Sequence, residues 1–247
     1  MADNERLRVE RGSKRIRAML GGEVVVDTTR PLLVWEVPYY PTYYLPATDV
    51  RTVFLIETGN TRRSPSRGEA TEYAVKVNGS EGLAYTYPEP KVPALADHYV
   101  FVWNTMDHWF EEEEEVYVHP RDPYTRVDIL PSSRRVRIEI DGETVADSSN
   151  GSFLHETGLP IRYYLPKVDV RMDLLTPTDK ATQCPYKGTA RYWTVTVGAN
   201  VHEDIAWAYD TPLPESMRIA GLIAFYNERV DTYVDEVLQE RPKTKFS

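Results

Sequence analysis

The chain has 247 residues, 41% hydrophobic and 27% charged, which supplies a sizeable core and the ordinary balance of a folded, water-exposed protein. A formal net charge of −9 disfavours a nucleic-acid backbone or an anionic membrane as the main partner, because both repel an acidic surface. The single cysteine, Cys184, excludes an intramolecular disulfide and a cysteine-rich zinc site.

From the start, residues 1–11 are polar and carry no apolar stretch of signal-peptide type, and no run anywhere reaches membrane-span length. A cytoplasmic protein is expected, with flexible ends over 1–11 and 238–247. Residues 16–20 and 24–26, separated by Gly21-Gly22, predict a β-hairpin. Tyr43-Tyr44-Leu45-Pro46 reads as extended chain, since proline restricts the residue before it. Residues 73–77 alternate as a strand does, and 99–103 read as a buried strand. A join follows over about 107–131, containing five consecutive glutamates at 111–115 and then His119-Pro120-Arg121-Asp122-Pro123.

The second half repeats the first. Ser13-Lys14-Arg15-Ile16-Arg17 returns as Ser133-Arg134-Arg135-Val136-Arg137, and Tyr43-Tyr44-Leu45-Pro46 returns as Tyr163-Tyr164-Leu165-Pro166, at a constant offset of 120. Glu36 and Arg51 return as Glu156 and Arg171 at the same offset. Beyond Val77 and Val197 the offset grows by two, pairing Ala84-Tyr85-Thr86-Tyr87 with Ala206-Trp207-Ala208-Tyr209 and Trp103 with Phe225. A second hairpin is expected around Asp141-Gly142, a strand over 192–197, a short helical turn opening at Pro212-Leu213-Pro214-Glu215, and a buried strand over 220–225. The 17 tyrosines and 18 prolines fit short strands and turns. The expected fold class is mainly β, with few short helices and two tandem modules over 12–130 and 131–237, related by duplication. Packing of the two as an intramolecular pseudo-dimer, in a monomeric chain, is the expected arrangement.

One segment stands out chemically: Cys184-Pro185-Tyr186-Lys187-Gly188-Thr189-Ala190, matched upstream by Ser64-Pro65-Ser66-Arg67-Gly68-Glu69-Ala70. A lysine three residues from a thiol across a turn could lower its pKa and make Cys184 a nucleophile with Lys187 as its helper. The plainer reading is a small buried cysteine packing the turn, with Lys187 paired to a carboxylate such as Glu156. Positive charge survives in both copies while sulfur does not, which favours binding over thiol catalysis. Tyr164, Tyr192, Trp207 and Tyr209 could wall a small-molecule pocket, joined by Tyr163 and Trp193, although strand alternation sends about half of such residues into the core. Arg171 and Glu156 complete the candidate ligand-binding set, although a structural ion pair is the favoured reading of both. No metal site and no cofactor are expected: the five histidines show no repeated ligand spacing, and no Gly-rich phosphate loop, Gly-x-Ser-x-Gly box or His-Glu-x-x-His pattern is present.

The Cys184 box, Tyr163-Tyr164-Leu165-Pro166, Ala206-Trp207-Ala208-Tyr209, 219–226 and the joining His119-Pro120-Arg121-Asp122-Pro123-Tyr124 together resemble the bacterial domain-of-unknown-function family 427 in its tandem form. The resemblance covers both halves. It implies a compact tent-like β fold without the zinc of other tent-like families, and a nucleotidyltransferase-like label. The first copy departs from the pattern, with Ser64 in place of the cysteine and Arg67 in place of the lysine. The expected function is binding of a small polar or anionic, nucleotide-like ligand by the second module. Two alternatives stand beside it: an enzyme, either nucleotidyltransferase-like or using Cys184, and a structural protein binding a partner through 111–115.

Overall fold

A computed structural model describes residues 7–244 and divides the chain into two compact units, 1–122 and 123–247. Both are built from short strands, and no helix among the described residues is long and apolar enough to cross a membrane.

In the first unit the strands are β1 (Arg8–Arg11), β2 (Ile16–Leu20), β3 (Glu23–Thr28), β4 (Leu32–Val37), β5 (Tyr40–Pro46), β6 (Leu55–Ser64), β7 (Gly68–Val77), β8 (Ser80–Thr86), β9 (His98–Phe101), β10 (His108–Glu111) and β11 (Glu114–Glu115). They form a seven-stranded sheet, β1-β4-β5-β9-β8-β7-β6, and a four-stranded one, β11-β10-β2-β3. The second unit contains β12 (Val127–Ser132), β13 (Val136–Ile140), β14 (Glu143–Ser148), β15 (Gly151–Glu156), β16 (Arg162–Tyr164), β17 (Leu175–Cys184), β18 (Gly188–Val197), β19 (Asn200–Ala208), β20 (Ile223–Phe225), β21 (Asp231–Val234) and β22 (Val237–Leu238). Their sheets run β12-β15-β16, β17-β18-β19-β20 and β14-β13-β21-β22. The topologies coincide. The step from β5 to β9 that fuses the first unit's large sheet survives in the second as a single bridge between Leu165 and Ile223.

The hairpins explain themselves residue by residue. In β2 and in β13 every second residue is buried (Ile16, Ala18 and Leu20; Val136, Ile138 and Ile140), so one face of each joins a core. The turns Gly21-Gly22 and Asp141-Gly142 all have positive φ, as a tight two-residue hairpin turn requires. At Gly21 a Cβ would also strike the Val77 carbonyl oxygen at 2.4 Å. Both hairpins carry a register shift at the same point, after Ala18 and after Ile138. The long hairpins do likewise, between Glu57 and Thr61 and between Pro177 and Ala181. Shared irregularities of this kind mark copies of one ancestral module. Each unit holds two core clusters, one centred on Ile16, Val26 and Phe101 or on Ile138, Ala146 and Phe225, the other on Tyr44 and Tyr87 or Tyr164 and Trp207.

Several expectations are corrected. The module boundary at 130/131 falls inside β12, which pairs with β15, and the units divide after Asp122. The acidic stretch is no linker: β10 pairs with β2, and β11 closes a hairpin on it. Parts of both ends are ordered: β1 pairs with β4, while Arg241 grips Asp231 at 2.7 Å and Thr244 donates to Glu228 at 2.6 Å. The rest of those ends, 1–6 and 245–247, lies outside the described residues. Finally, Phe225 is not the counterpart of Trp103. Ala84 faces Phe101 in β8–β9 and Ala206 faces Phe225 in β19–β20, so Phe101 is its equivalent and Trp103 answers to Asn227. The extra length is absorbed in the turn before β20, where the 3₁₀ segment Pro214–Ile219 replaces the shorter Pro93–Leu95.

Candidate functional site

The box of the second unit is a tight turn between β17 and β18. The Lys187 N–H donates to the Cys184 carbonyl at 3.3 Å, Pro185 presets the turn, and Gly188 takes φ +93 to resume the strand opposite Cys184. The 3₁₀ segment buttresses it from behind: the Leu213 N–H donates to the Lys187 carbonyl, and the fully buried Ser216 hydroxyl to that of Tyr186.

This geometry carries Lys187 inward. Its Nζ lies 2.5 Å from Glu156 Oε2 at the end of β15, and both side chains are only 10% exposed. An ammonium in such surroundings needs a counter-charge, because leaving water unpaired would cost several kcal/mol. An ammonium also has three N–H donors, and among the described residues Glu156 is the only hydrogen-bond partner of this one.

Tyr164 and Tyr209 stand beside the pair. The Tyr164 hydroxyl accepts from the Trp207 indole N–H at 3.1 Å, with the two rings edge-to-face. Burial pushes the pKa of Tyr164 well above the ordinary phenol range; the Trp207 hydrogen bond acts against this, and the charge of Glu156 adds to it. Tyr209 is shifted the same way by burial first, then by Tyr164, Cys184, Tyr192 and Glu156. Both phenols therefore remain protonated donors at neutral pH. The Tyr209 hydroxyl has no hydrogen-bond partner among the described residues. Cys184 is a half-buried free thiol on the same turn.

The remaining expected residues divide. Tyr192 belongs to this cluster and bonds Thr182 at 2.8 Å. Tyr163 and Trp193 point the other way, into or against the core centred on Ile138 and Phe225, as alternation along β16 and β18 dictates. Arg171 is not part of the site. It lies half-exposed beside its own hairpin and pairs with Asp173 and Glu143 at 2.7 and 3.3 Å, as Arg51 pairs with Glu23. Glu156 and Arg171 therefore recur as members of two separate ion pairs.

In the first unit the equivalent turn is tied into a larger internal network. Arg67 binds Glu36 and donates to Ser64 Oγ at 2.9 Å, while the Tyr44 hydroxyl donates to Glu36 at 2.8 Å. The glutamates 111–115 are likewise engaged, Glu111 with Lys14 and Tyr43, Glu113 with Arg15 and Arg17, Glu114 with Arg121, and Glu115 with His108 and Tyr117.

A buried ion pair missed in the sequence sits against Trp207. Arg162 makes two 2.6 Å bonds to the carboxylate of Glu228, and its guanidinium lies 5.6 Å from the Trp207 ring and 5.8 Å from that of Tyr226. Burial works to raise the Glu228 pKa, but hydrogen bonds from Arg162 and Thr244 outweigh it and hold the carboxyl below the usual range. The available signal was the break in the repeat: Arg162 precedes Tyr-Tyr-Leu-Pro where the first copy has Thr42.

A family model described as a domain of unknown function, DUF427, matches the chain twice, over residues 8–112 and 128–236. None of the curated proteins compared matches it.

Proposed function

The chain belongs to the DUF427 family and carries its domain in tandem, and on that premise we propose that the second unit binds a small polar or anionic, nucleotide-like ligand at the Lys187 turn. One observation carries this reading. Around a single buried carboxylate stand three kinds of donor in excess of what Glu156 takes up: the other Lys187 protons, the Tyr209 hydroxyl and the Cys184 thiol. An incoming carboxylate or phosphate oxygen supplies the missing acceptor, and an N–H···O bond of that charge-assisted kind is about twice as strong as a neutral one. Trp207 and Tyr164 hold the wall of the site, with the indole N–H already committed to Tyr164. Cys184 contributes a weak donor and needs no reactivity in this scheme.

The test is thermal stabilisation of the intact protein by inorganic phosphate, AMP and short carboxylic acids, each titrated to saturation. A saturable rise in Tm that weakens at least tenfold in Tyr209→Phe is expected. Because Lys187→Gln leaves Glu156 buried and unpaired, the paired variant Lys187→Met with Glu156→Leu is the companion, predicted to fold and to lose the response. Equal stabilisation of all variants, or none of the wild type by any probe, contradicts the proposal.

A further inference from the structure

The first unit contains a hollow of about 240 Å³ between β5, β9 and the segment that follows β11. It is larger than the roughly 150 Å³ apolar cavity that accepts benzene, so a bicyclic ring fits. Its walls are aromatic: Trp103 and Trp109 stack at 4.6 Å and 3°, and Tyr40 stacks on His119 at 3.9 Å and 10°. Val118, on the rim, is held at φ +71 inside a three-residue turn closed by the His119 N–H on the Tyr117 carbonyl at 2.8 Å. A β-branched residue is strained there, and this strain presents the His119 ring to Tyr40.

The second unit shows what this place can hold. By sheet register Thr42 answers to Arg162, since Val34 faces Thr42 and Leu154 faces Arg162; counting on from Phe101 and Phe225, Asn104 answers to Glu228 and Val102 to Tyr226. Thr42, Val102 and Asn104 all line the hollow. The same position is therefore filled in one copy by a guanidinium–carboxylate pair beside two aromatic rings, and left open in the other by three smaller residues. The open copy also has its own cation. Arg62, on the lining, has its guanidinium 5.3 Å from the Tyr85 ring and no carboxylate partner among the described residues. The hydroxyl of Thr42 and the amide of Asn104 are likewise without hydrogen-bond partners there.

We propose that this hollow is a second, independent ligand site, taking a planar one- or two-ring aromatic carboxylate whose ring lies among Tyr40, Trp103 and Tyr85 and whose carboxylate pairs with Arg62. An aromatic ring supplies the stacking surface the walls offer. A carboxylate matches the fork of a guanidinium, replacing for Arg62 the partner that Arg162 finds in Glu228. The site shares no residue with the Lys187 turn, so either stands without the other.

The experiment is calorimetric titration of the intact protein with 2-naphthoate, and with 2-naphthalenemethanol as the uncharged counterpart. Saturable binding of the acid, at least tenfold tighter than of the alcohol, is expected, with Arg62→Gln erasing that difference. Thr42→Arg combined with Asn104→Glu rebuilds the second unit's ion pair inside the hollow; it is predicted to keep the native Tm and abolish binding. The paired Lys187→Met, Glu156→Leu variant leaves 2-naphthoate binding unchanged. No heat from 2-naphthoate at millimolar concentration, equal affinity for acid and alcohol, or undiminished binding in the folded Thr42→Arg, Asn104→Glu variant overturns the proposal.

Discussion

In the first unit Arg67, Ser64, Tyr44 and Glu36 are bonded to one another at the box turn, while the space beside Tyr85 stands open. In the second, Lys187 and Tyr209 keep donors in hand at the turn, while Arg162, Glu228 and Tyr226 fill the space beside Trp207. The strand order, the hairpin irregularities and the paired cores are common to both. What differs is which of two adjacent places each copy has closed with its own side chains. A duplicated frame tolerates this because each closure is a local pairing of charges and rings that leaves the sheets intact.

The largest effect that can break this comparison lies in the filled site. Arg162→Leu strands Glu228, whose side chain is fully buried, and is expected to cost about 3–5 kcal/mol in urea unfolding. Replacing the pair together by the first unit's residues, Arg162→Thr with Glu228→Asn, should cost clearly less than Arg162→Leu. A double variant as damaging as the single one would mean that the pair does more than fill space.

Acid sensitivity follows from the same pair. The folded pKa of Glu228 lies below its unfolded value, so its contribution is complete above the ordinary carboxylate range near 4.3 and is lost as pH falls through the lower folded value. Asp27 and Asp147, held down chiefly by hydrogen bonds from Arg15 and Arg135, act in the same direction more weakly because they are exposed. Glu228→Gln should therefore flatten the decline of stability below about pH 4.3, measured as Tm against pH.

A smaller change sharpens the contrast at the box. Tyr44→Phe removes a hydrogen bond to a charged carboxylate, at about 1.5–3 kcal/mol, whereas Tyr164→Phe removes a neutral one from Trp207, at about 0.5–1.5 kcal/mol. Equal losses would contradict the view that the first copy's turn is the more tightly closed. Smallest of all, Arg171→Ala breaks only exposed pairs and should change stability by at most about 1 kcal/mol.

Much of this was legible in the chain, and the limits have physical causes. The duplication, both hairpins and the pairing of Lys187 with Glu156 follow from local spacing and from charge retained at one offset. The loss of register near Phe225 was hard to read, because the turn before β20 is longer in the second copy and the identical Phe101 and Phe225 mark the new offset amid otherwise weak matches. Arg171 was misplaced because recurrence alone does not say which carboxylate a surface cation meets. The hollow and the Arg162–Glu228 pair arise where strands far apart in the chain come together, so no short segment contains both partners.

The most direct measurement is the thermal shift of the intact protein with phosphate, AMP and short carboxylic acids, beside the paired Lys187→Met, Glu156→Leu variant. A saturable stabilisation that disappears when the buried pair is made apolar is the predicted result. A folded variant that responds as the wild type does would contradict a ligand site at the second unit's turn.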